Sequence, residues 1–421
     1  MSRIGGVPVR DLVSACGTPL VVYDVDVMKA KLQEYKDHFV SDRFKTGVVY
    51  ASKAFSCKAM IRIVDSFGFL VDVVSLGEMV TALLAGIDPS RIIFHGNNKS
   101  EEEIEYALEK KIGTIICDNL MEAMMLEEKA RYIDHPVHVL LRVNPGIEAH
   151  THKYIVTGHI DSKFGISLLD ESRLVHAIMV LRENPNICFD GLHAHIGSQI
   201  FEKQAFIEEI RTLFSYMNKM KERYGITCNT LDLGGGFAAR YTSEDAPIPL
   251  AEVCEAILTT AQEEEDKYQT GIERLWIEPG RSLCAEAGYN LYSIGFTKKT
   301  PNKTYLFVNG GMSDNIRPAL YQAKYDAYIE GRENDAPEGT FTIAGKCCES
   351  GDILIESIDL PKAHYGDILV MKTTGAYGYA MASHYNKLPL PAVVFAESGK
   401  FRTVIRRESI EHMISLEEDE L

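Results

Sequence analysis

The chain has 421 residues, room for two or three ordinary domains or for one large barrel and a companion. Hydrophobic residues make up 46% and charged residues 25%, a globular balance that excludes disordered, collagen-like and coiled-coil classes. A formal net charge of −16 sets the surface against nucleic acid and anionic membranes, although a pocket can still be locally positive.

In chain order, residues 19–23 read as a first strand. Eight short apolar, β-branched runs follow, at 47–51, 69–74, 92–95, 113–117, 137–143, 187–195, 230–233 and 275–277. Several are apolar without alternation, as strands buried on both faces of a parallel sheet must be. The first four start about every 22 residues, space for a strand, a short helix and two loops. Helical patterns fill the gaps. Asn98-Lys99-Ser100 ahead of three glutamates supplies a cap and an acidic first turn. Phe206, Ile210, Leu213, Phe214, Met217 and Met220 share one helical face, and Gly225 suits the residue after the helix end.

Eight strand–helix alternations predict a (β/α)8 TIM barrel, with an open doubly wound sheet as the competing topology. The connection 147–167, after the fifth strand, has the length of a lid or binding loop. Beyond about residue 282, runs at 291–297, 304–309, 340–345, 368–373, 392–396 and 400–406 predict a second, mostly β domain. Residues 19–23 could join that sheet. The expected division is therefore a barrel over residues 25–281 and a discontinuous β-rich domain from 1–24 plus 282–421.

No apolar run reaches the ~18 residues that span a bilayer. The opening Met-Ser-Arg-Ile-Gly-Gly lacks the apolar stretch of a secretory signal, and without one the final Asp-Glu-Leu carries no weight as a retention ending. Nine cysteines, odd in number and with no C-x-x-C pair, argue against a disulfide framework and for a reduced, cytoplasmic setting.

Barrel chemistry collects at the C-terminal strand ends, and polar residues collect there in this sequence. Strand one ends in Ala51-Ser52-Lys53, strand three in His95-Gly96-Asn97-Asn98 and strand five in Arg142-Val143-Asn144. Strand six ends in His193-Ala194-His195-Ile196-Gly197-Ser198, strand seven runs into Gly234-Gly235-Gly236, and strand eight into Glu278-Pro279-Gly280-Arg281. An arbitrary lysine usually snorkels to solvent. At a strand end, Lys53 reads instead as a Schiff-base amine activated by a desolvated neighbourhood. A triple glycine is weak alone, but after a buried strand its bare backbone can close on phosphate oxygens. Neither Walker A nor G-x-G-x-x-G occurs, so nucleotide binding is not the first reading. Glu278 and Arg281 could form a near-neutral surface pair. On the rim they suit a ring nitrogen and an anion. His193 and His195 could bind a metal with His95, but Lys53 and Glu278 suit a zinc cage poorly, and no metal is expected.

Taken in order, Lys53, His195-Ile196-Gly197-Ser198-Gln199, the triple glycine and Glu278-Pro279-Gly280-Arg281 resemble the fold-type III pyridoxal-phosphate decarboxylases, barrel-plus-β enzymes acting on basic or dibasic amino acids. Three further stretches look like the diaminopimelate-acting branch: Gly310-Gly311-Met312-Ser313-Asp314-Asn315-Ile316-Arg317-Pro318-Ala319-Leu320-Tyr321, Cys348-Glu349-Ser350-Gly351-Asp352 and Gly375-Ala376-Tyr377-Gly378. Phe94-His95-Gly96-Asn97-Asn98-Lys99 does so too, and the resemblance covers nearly the whole chain.

The resemblance implies pyridoxal 5′-phosphate as cofactor and decarboxylation of meso-2,6-diaminopimelate to L-lysine and CO2. By that resemblance Lys53 carries the cofactor, His195 stacks on its ring and Glu278 keeps its ring nitrogen protonated. Ser198, Gly235, Gly236, Pro279, Gly280, Arg281 and Tyr377 bind cofactor. Arg281, Arg317, Tyr321, Glu349 and Tyr377 bind substrate, and Cys348 gives the proton. The resemblance also implies a homodimer whose cysteine loop enters the partner's site. Phe55, Lys346, His384 and Asn309 depart from common residues of the family. The rivals are a sister decarboxylase for ornithine, arginine or another dibasic amino acid, a catalytically silent regulator, and a racemase. A racemase needs a second base opposite Lys53, and no sequence pattern supplies one.

Overall fold

The computed structural model describes residues 2–147 and 162–418. Most of the long connection expected at 147–167 therefore lies outside the described residues. The chain forms two compact units, one of residues 32–238 and 247–280, the other of 1–31, 239–246 and 281–421.

In the first unit eight parallel strands close on themselves. In chain order they are Lys45–Ala51, Leu70–Val73, Ile92–Phe94, Thr114–Cys117, Val137–Asn144, Ile187–His193, Thr230–Asp232 and Arg274–Ile277. Each pairs with the next, the eighth pairs with the first, and no open edge remains. The doubly wound alternative is thus excluded. Strands three and four are buried at every residue, which explains why they show no alternation. The helix Glu101–Glu109 starts on a Ser100–Glu103 capping box. The helix Lys203–Tyr224 buries all six residues of the expected face and ends on left-handed Gly225.

Period two along the strands sets where the chemistry falls. Val49, Ile93, Ile116 and Leu140 form one apolar cluster, with Leu70 and Trp276 packed against it. Residues from strands one and five meet only across a closed barrel, so this layer plugs its interior. Two residues onward on the same face come Ala51, Asp72, His95, Asp118, Arg142 and Glu278. An apolar plug thus carries a polar layer directly above it, at the strands' C-terminal ends.

The second unit is built on the twelve-residue strand Gly288–Lys299, which pairs with Leu20–Asp24, Thr304–Val308 and Ile368–Lys372. The N-terminal strand thus joins the C-terminal sheet, wedged between Gly288–Lys299 and Ala392–Glu397. Two of its strands give no clear sequence signal. Ala327–Ile329 is only three residues long, and Ile353–Leu360 is an edge strand with Glu356 and Asp359 among its outward residues. The helices Val9–Cys16 and Val25–His38 flank the N-terminal strand. Among the described residues no helix is long and apolar enough to cross a membrane, and all nine cysteines are free.

Candidate active site

The candidate residues fall into two sets, one in the barrel unit and one in the β-rich unit. In the barrel, Lys53 sits in a single 3-10 turn, Ser52–Ala54, directly after strand one. Its neighbours Ser52 and Ala54 are buried while Lys53 is exposed, which corrects the desolvated setting expected for it. The turn projects the ammonium off the rim, where Asp72, Glu78, His193 and His195 share its field.

Glu278, 7% exposed at the end of strand eight, is held by two imidazoles. Its Oε1 lies 2.7 Å from His95 Nε2 and its Oε2 3.2 Å from His193 Nε2. The rings of His95 and His193 meet edge to face at 4.9 Å. Burial opposes a charge on Glu278, but the imidazoles outweigh it and hold the carboxyl well below its ordinary range. Burial in turn drives His95 down to about 4, although the Glu278 charge pulls the other way. Asp72 and Asp232 are pushed well above the ordinary range, by burial first and by the Glu278 charge next. Of three buried carboxyls, Glu278 holds the charge and the two aspartates keep their protons. Arg142, stacked 4.5 Å over Phe164, adds the nearby positive charge.

The donor atoms of His95, His193 and Glu278 lie within 4.8 Å of one another, a cation-sized spacing. The three side chains also contact one another, each imidazole beside one oxygen of the carboxylate.

His195 meets the glycine loop. Its Nδ1 accepts the Gly235 N–H at 3.1 Å, which leaves Nδ1 unprotonated. Burial, reinforced by Lys53 and Arg142, keeps the ring well below its usual pKa and so neutral. The glycines are sterically required. A Cβ on Gly235 would stand 2.2 Å from the Glu278 carbonyl oxygen, and one on Gly234, at φ +63°, 2.5 Å from that of Ala194. Loop and strand ends are thereby locked together, and Ala51 N–H donates to Pro279 O at 3.1 Å behind Lys53. Ser198 lies three residues after His195, on the loop that follows strand six, half-buried.

The residues present fit pyridoxal phosphate. Ser52 Oγ, Asp72 Oδ1, His193 Nδ1, Asp232 Oδ2 and Glu278 Oε1 are buried without a hydrogen-bond partner among the described residues. Polar atoms so placed await a partner, and Glu278 Oε1 meets His95 at ion-pair distance but off hydrogen-bond angle.

In the β-rich unit, Arg281 and Arg317 are both buried. Arg281 Nη1 donates to the Tyr241 hydroxyl at 2.6 Å, and its guanidinium lies 4.8 Å from the Tyr377 ring. Arg317 lies 4.6 Å from the Tyr241 ring and donates to the Tyr325 hydroxyl. Tyr321 shares the one-turn helix Arg317–Tyr321, four residues on and so on the same side. Tyr377 takes a left-handed backbone, φ 58°. Cys348 and Glu349 stand apart on an exposed loop. Cys348 N–H donates to Asn386 Oδ1 at 2.6 Å and Glu349 Oε1 accepts from Gly351 N–H at 3.2 Å. No hydrogen bond or ion pair ties either to Arg317 among the described residues. The departures Asn309 and His384 are structurally engaged, Asn309 with Ser293 and Thr18, His384 with Glu408.

Sequence reading missed Asp72, Tyr241 and Tyr325. Asp72 had a signal, a lone acid inside Leu70-Val71-Asp72-Val73.

In the same unit, burial raises the Asp314 carboxyl to about 7, although the Gly311 N–H opposes it. The folded value lies above the ordinary 3.8, so its stabilising contribution is present below that pH and is lost as pH rises towards 7. Asp314→Asn should therefore gain stability over wild type by a few kcal/mol between pH 4 and 7. Melting curves across that range check this; a gap constant with pH would contradict it.

A barrel whose first strand ends in a lysine, with a buried carboxylate and a glycine cradle on the same rim, has the makings of a pyridoxal-phosphate-binding enzyme class. The family model for the pyridoxal binding domain of pyridoxal-dependent decarboxylases matches residues 25–285. The chain is 46% identical to diaminopimelate decarboxylase of Bacillus subtilis, over 99% of this chain and 94% of that one. To the Staphylococcus aureus enzyme of that name it is 42% identical, over 97% and 96%. Diaminopimelate decarboxylase from Helicobacter pylori, solved with L-lysine, superposes with a TM-score of 0.88 at 31% identity, covering 97% of this chain and 98% of that one. The chain belongs to the diaminopimelate decarboxylase family.

Proposed function

We propose that the protein releases CO2 from meso-2,6-diaminopimelate to give L-lysine, the last step of lysine biosynthesis, with pyridoxal phosphate bound. One observation carries the substrate: Arg317 is a buried guanidinium with phenol partners and no carboxylate among the described residues. A buried cation without a counter-charge is costly. A substrate bearing a second, distal carboxylate supplies that charge, whereas ornithine, lysine or arginine leaves it unmatched.

The cofactor, when bound, accepts the electron pair left at Cα as the bond to CO2 breaks. The chain's residues do the rest. Lys53 Nζ anchors the cofactor covalently, and the glycine loop with Ser198, Pro279, Gly280, Arg281 and Tyr377 holds it. Glu278 keeps a proton on the ring nitrogen, because an ionised carboxylate favours the charged form of its partner. Neutral His195, fixed by Gly235, packs on the ring. Arg317, Tyr321 and Glu349 take the distal end of the substrate, Glu349 matching its ammonium. Cys348 Sγ–H delivers the proton to Cα, and an exposed thiol can reload from water. In this reading the barrel, residues 25–281, binds cofactor. The β-rich domain, residues 1–24 plus 282–421, supplies substrate and dimer contacts. The enzyme is a cytoplasmic homodimer with shared sites.

The test is CO2 release from a panel of diaminopimelate, lysine, ornithine and arginine by the cofactor-loaded protein. Turnover of diaminopimelate alone is expected. Turnover of a mono-carboxylate in its place would transfer the assignment to a sister decarboxylase.

Cys348→Ala should slow turnover about 10²-fold or more, the scale of a lost general acid, while cofactor absorbance persists. Mixing this variant with Lys53→Ala, then exchanging subunits, should restore activity if each site draws on both chains. Unchanged turnover in Cys348→Ala would remove the thiol from its role.

A further inference from the structure

Tyr241 lies in the short segment 239–246, just past the triple glycine in sequence yet part of the β-rich unit. Its ring is a hub. Arg281 reaches its hydroxyl at 2.6 Å and stands 5.7 Å from the ring centroid. Arg317 lies against the same ring at 4.6 Å. Tyr325 meets it edge to face at 5.4 Å and 85°, and bonds Arg317 through its own hydroxyl. The hub is pinned through its backbone, since Asp245 Oδ2 accepts the N–H groups of Tyr241 at 3.0 Å and Thr242 at 2.9 Å. Tyr241 itself is buried, 7% exposed.

Two like charges against one side chain repel, and a group between them can fix their spacing. An aromatic face attracts a guanidinium by its quadrupole, and a phenol oxygen accepts a charge-assisted hydrogen bond. One tyrosine offers both at once, face to Arg317 and oxygen to Arg281.

We propose that Tyr241 is the positioning residue that holds Arg281, for the cofactor phosphate, and Arg317, for the distal carboxylate, in one fixed frame. The inference rests on the roles assigned to those arginines above and adds the element that sets their spacing. Because the two contacts use different parts of the side chain, they can be removed separately.

Tyr241→Phe deletes the hydroxyl and keeps the ring. It should weaken retention of pyridoxal 5′-phosphate about tenfold, the scale of one charge-assisted hydrogen bond. Retention of pyridoxal, which lacks the phosphate, should not change, and KM for diaminopimelate should stay near the wild-type value. Tyr241→Leu deletes the ring as well. It should raise KM for diaminopimelate about tenfold or more while kcat at saturating cofactor falls far less. The phenylalanine variant thus rescues the substrate defect and not the cofactor defect.

Equilibrium dialysis with the two vitamers, steady-state kinetics and melting curves read these outcomes. If Tyr241→Phe loses pyridoxal and pyridoxal phosphate alike, or neither, the positioning role is overturned. It is overturned too if KM responds equally to both substitutions. Should Tyr241→Leu fail to fold, the vitamer comparison on Tyr241→Phe decides alone. A wild-type enzyme inactive on diaminopimelate with a phosphate-selective Tyr241→Phe defect would sink the substrate assignment and keep the Arg281 half of this frame.

Discussion

Lys53→Ala should abolish turnover, by roughly 10⁴-fold or more, the scale of losing a covalent catalytic group. The visible absorbance of the bound cofactor should go with it. Borohydride reduction of wild type, followed by peptide mapping, should place one label on Lys53, and the variant should take none. A label elsewhere would remove the residue from its role. The geometry makes this a clean experiment. Lys53 is exposed and makes no hydrogen bond among the described residues, while its flanking residues carry the packing. Truncation of an exposed side chain changes stability by about 0.5 kcal/mol or less, so lost activity will not reflect lost fold. Lys53→Arg is the matched control: it keeps the positive charge beside Asp72 and Glu78 but has no amine able to join an aldehyde. If charge alone mattered, Arg would restore function. The strand end before the turn is closely packed, since a Cβ on Gly280 would stand 2.9 Å from Ala51.

The barrel was legible because its strands are buried on both faces, and burial leaves apolar runs that need no partner information to be seen. The rim was legible for the same reason inverted, since a polar residue directly after such a run has nowhere to go but the mouth. What escaped reading was pairing. His95 and His193 are 98 residues apart in number, and nothing local shows that both face Glu278. Asp72 looks like an exposed acid until the strand register sets it two residues above Leu70 on the inner face. Tyr241 is hidden by connectivity, because it follows barrel strand seven in sequence but packs with arginines from residues 281 and 317. Ile353–Leu360 escaped since an edge strand shows its acids to solvent and mimics a loop.

Glu278→Gln should cut kcat by about 10²–10³-fold, equivalent to roughly 3–4 kcal/mol of transition-state stabilisation. Glutamine keeps the shape and can still meet His95 and His193, but it is neutral and no longer favours a protonated ring nitrogen. Melting curves should separate this from damage to the fold. In wild type the Glu278 charge helps to hold Asp72 and Asp232 protonated, well above their ordinary range. Groups with raised folded pKa values lose their stabilising contribution as pH climbs above the unfolded value. Glu278 itself is shifted the other way, so its contribution is present above the ordinary glutamate value and constant through neutral pH. With glutamine in place the two aspartates should titrate lower, and the variant should gain on wild type as pH rises from 5 to 8. A slower enzyme that is relatively more stable at high pH is therefore the expected pair of results, because the Glu278 charge helps to raise both aspartates. If the variant keeps full kcat, the carboxylate does not govern the ring nitrogen. If its relative stability is flat with pH, the three carboxyls are not coupled through Glu278.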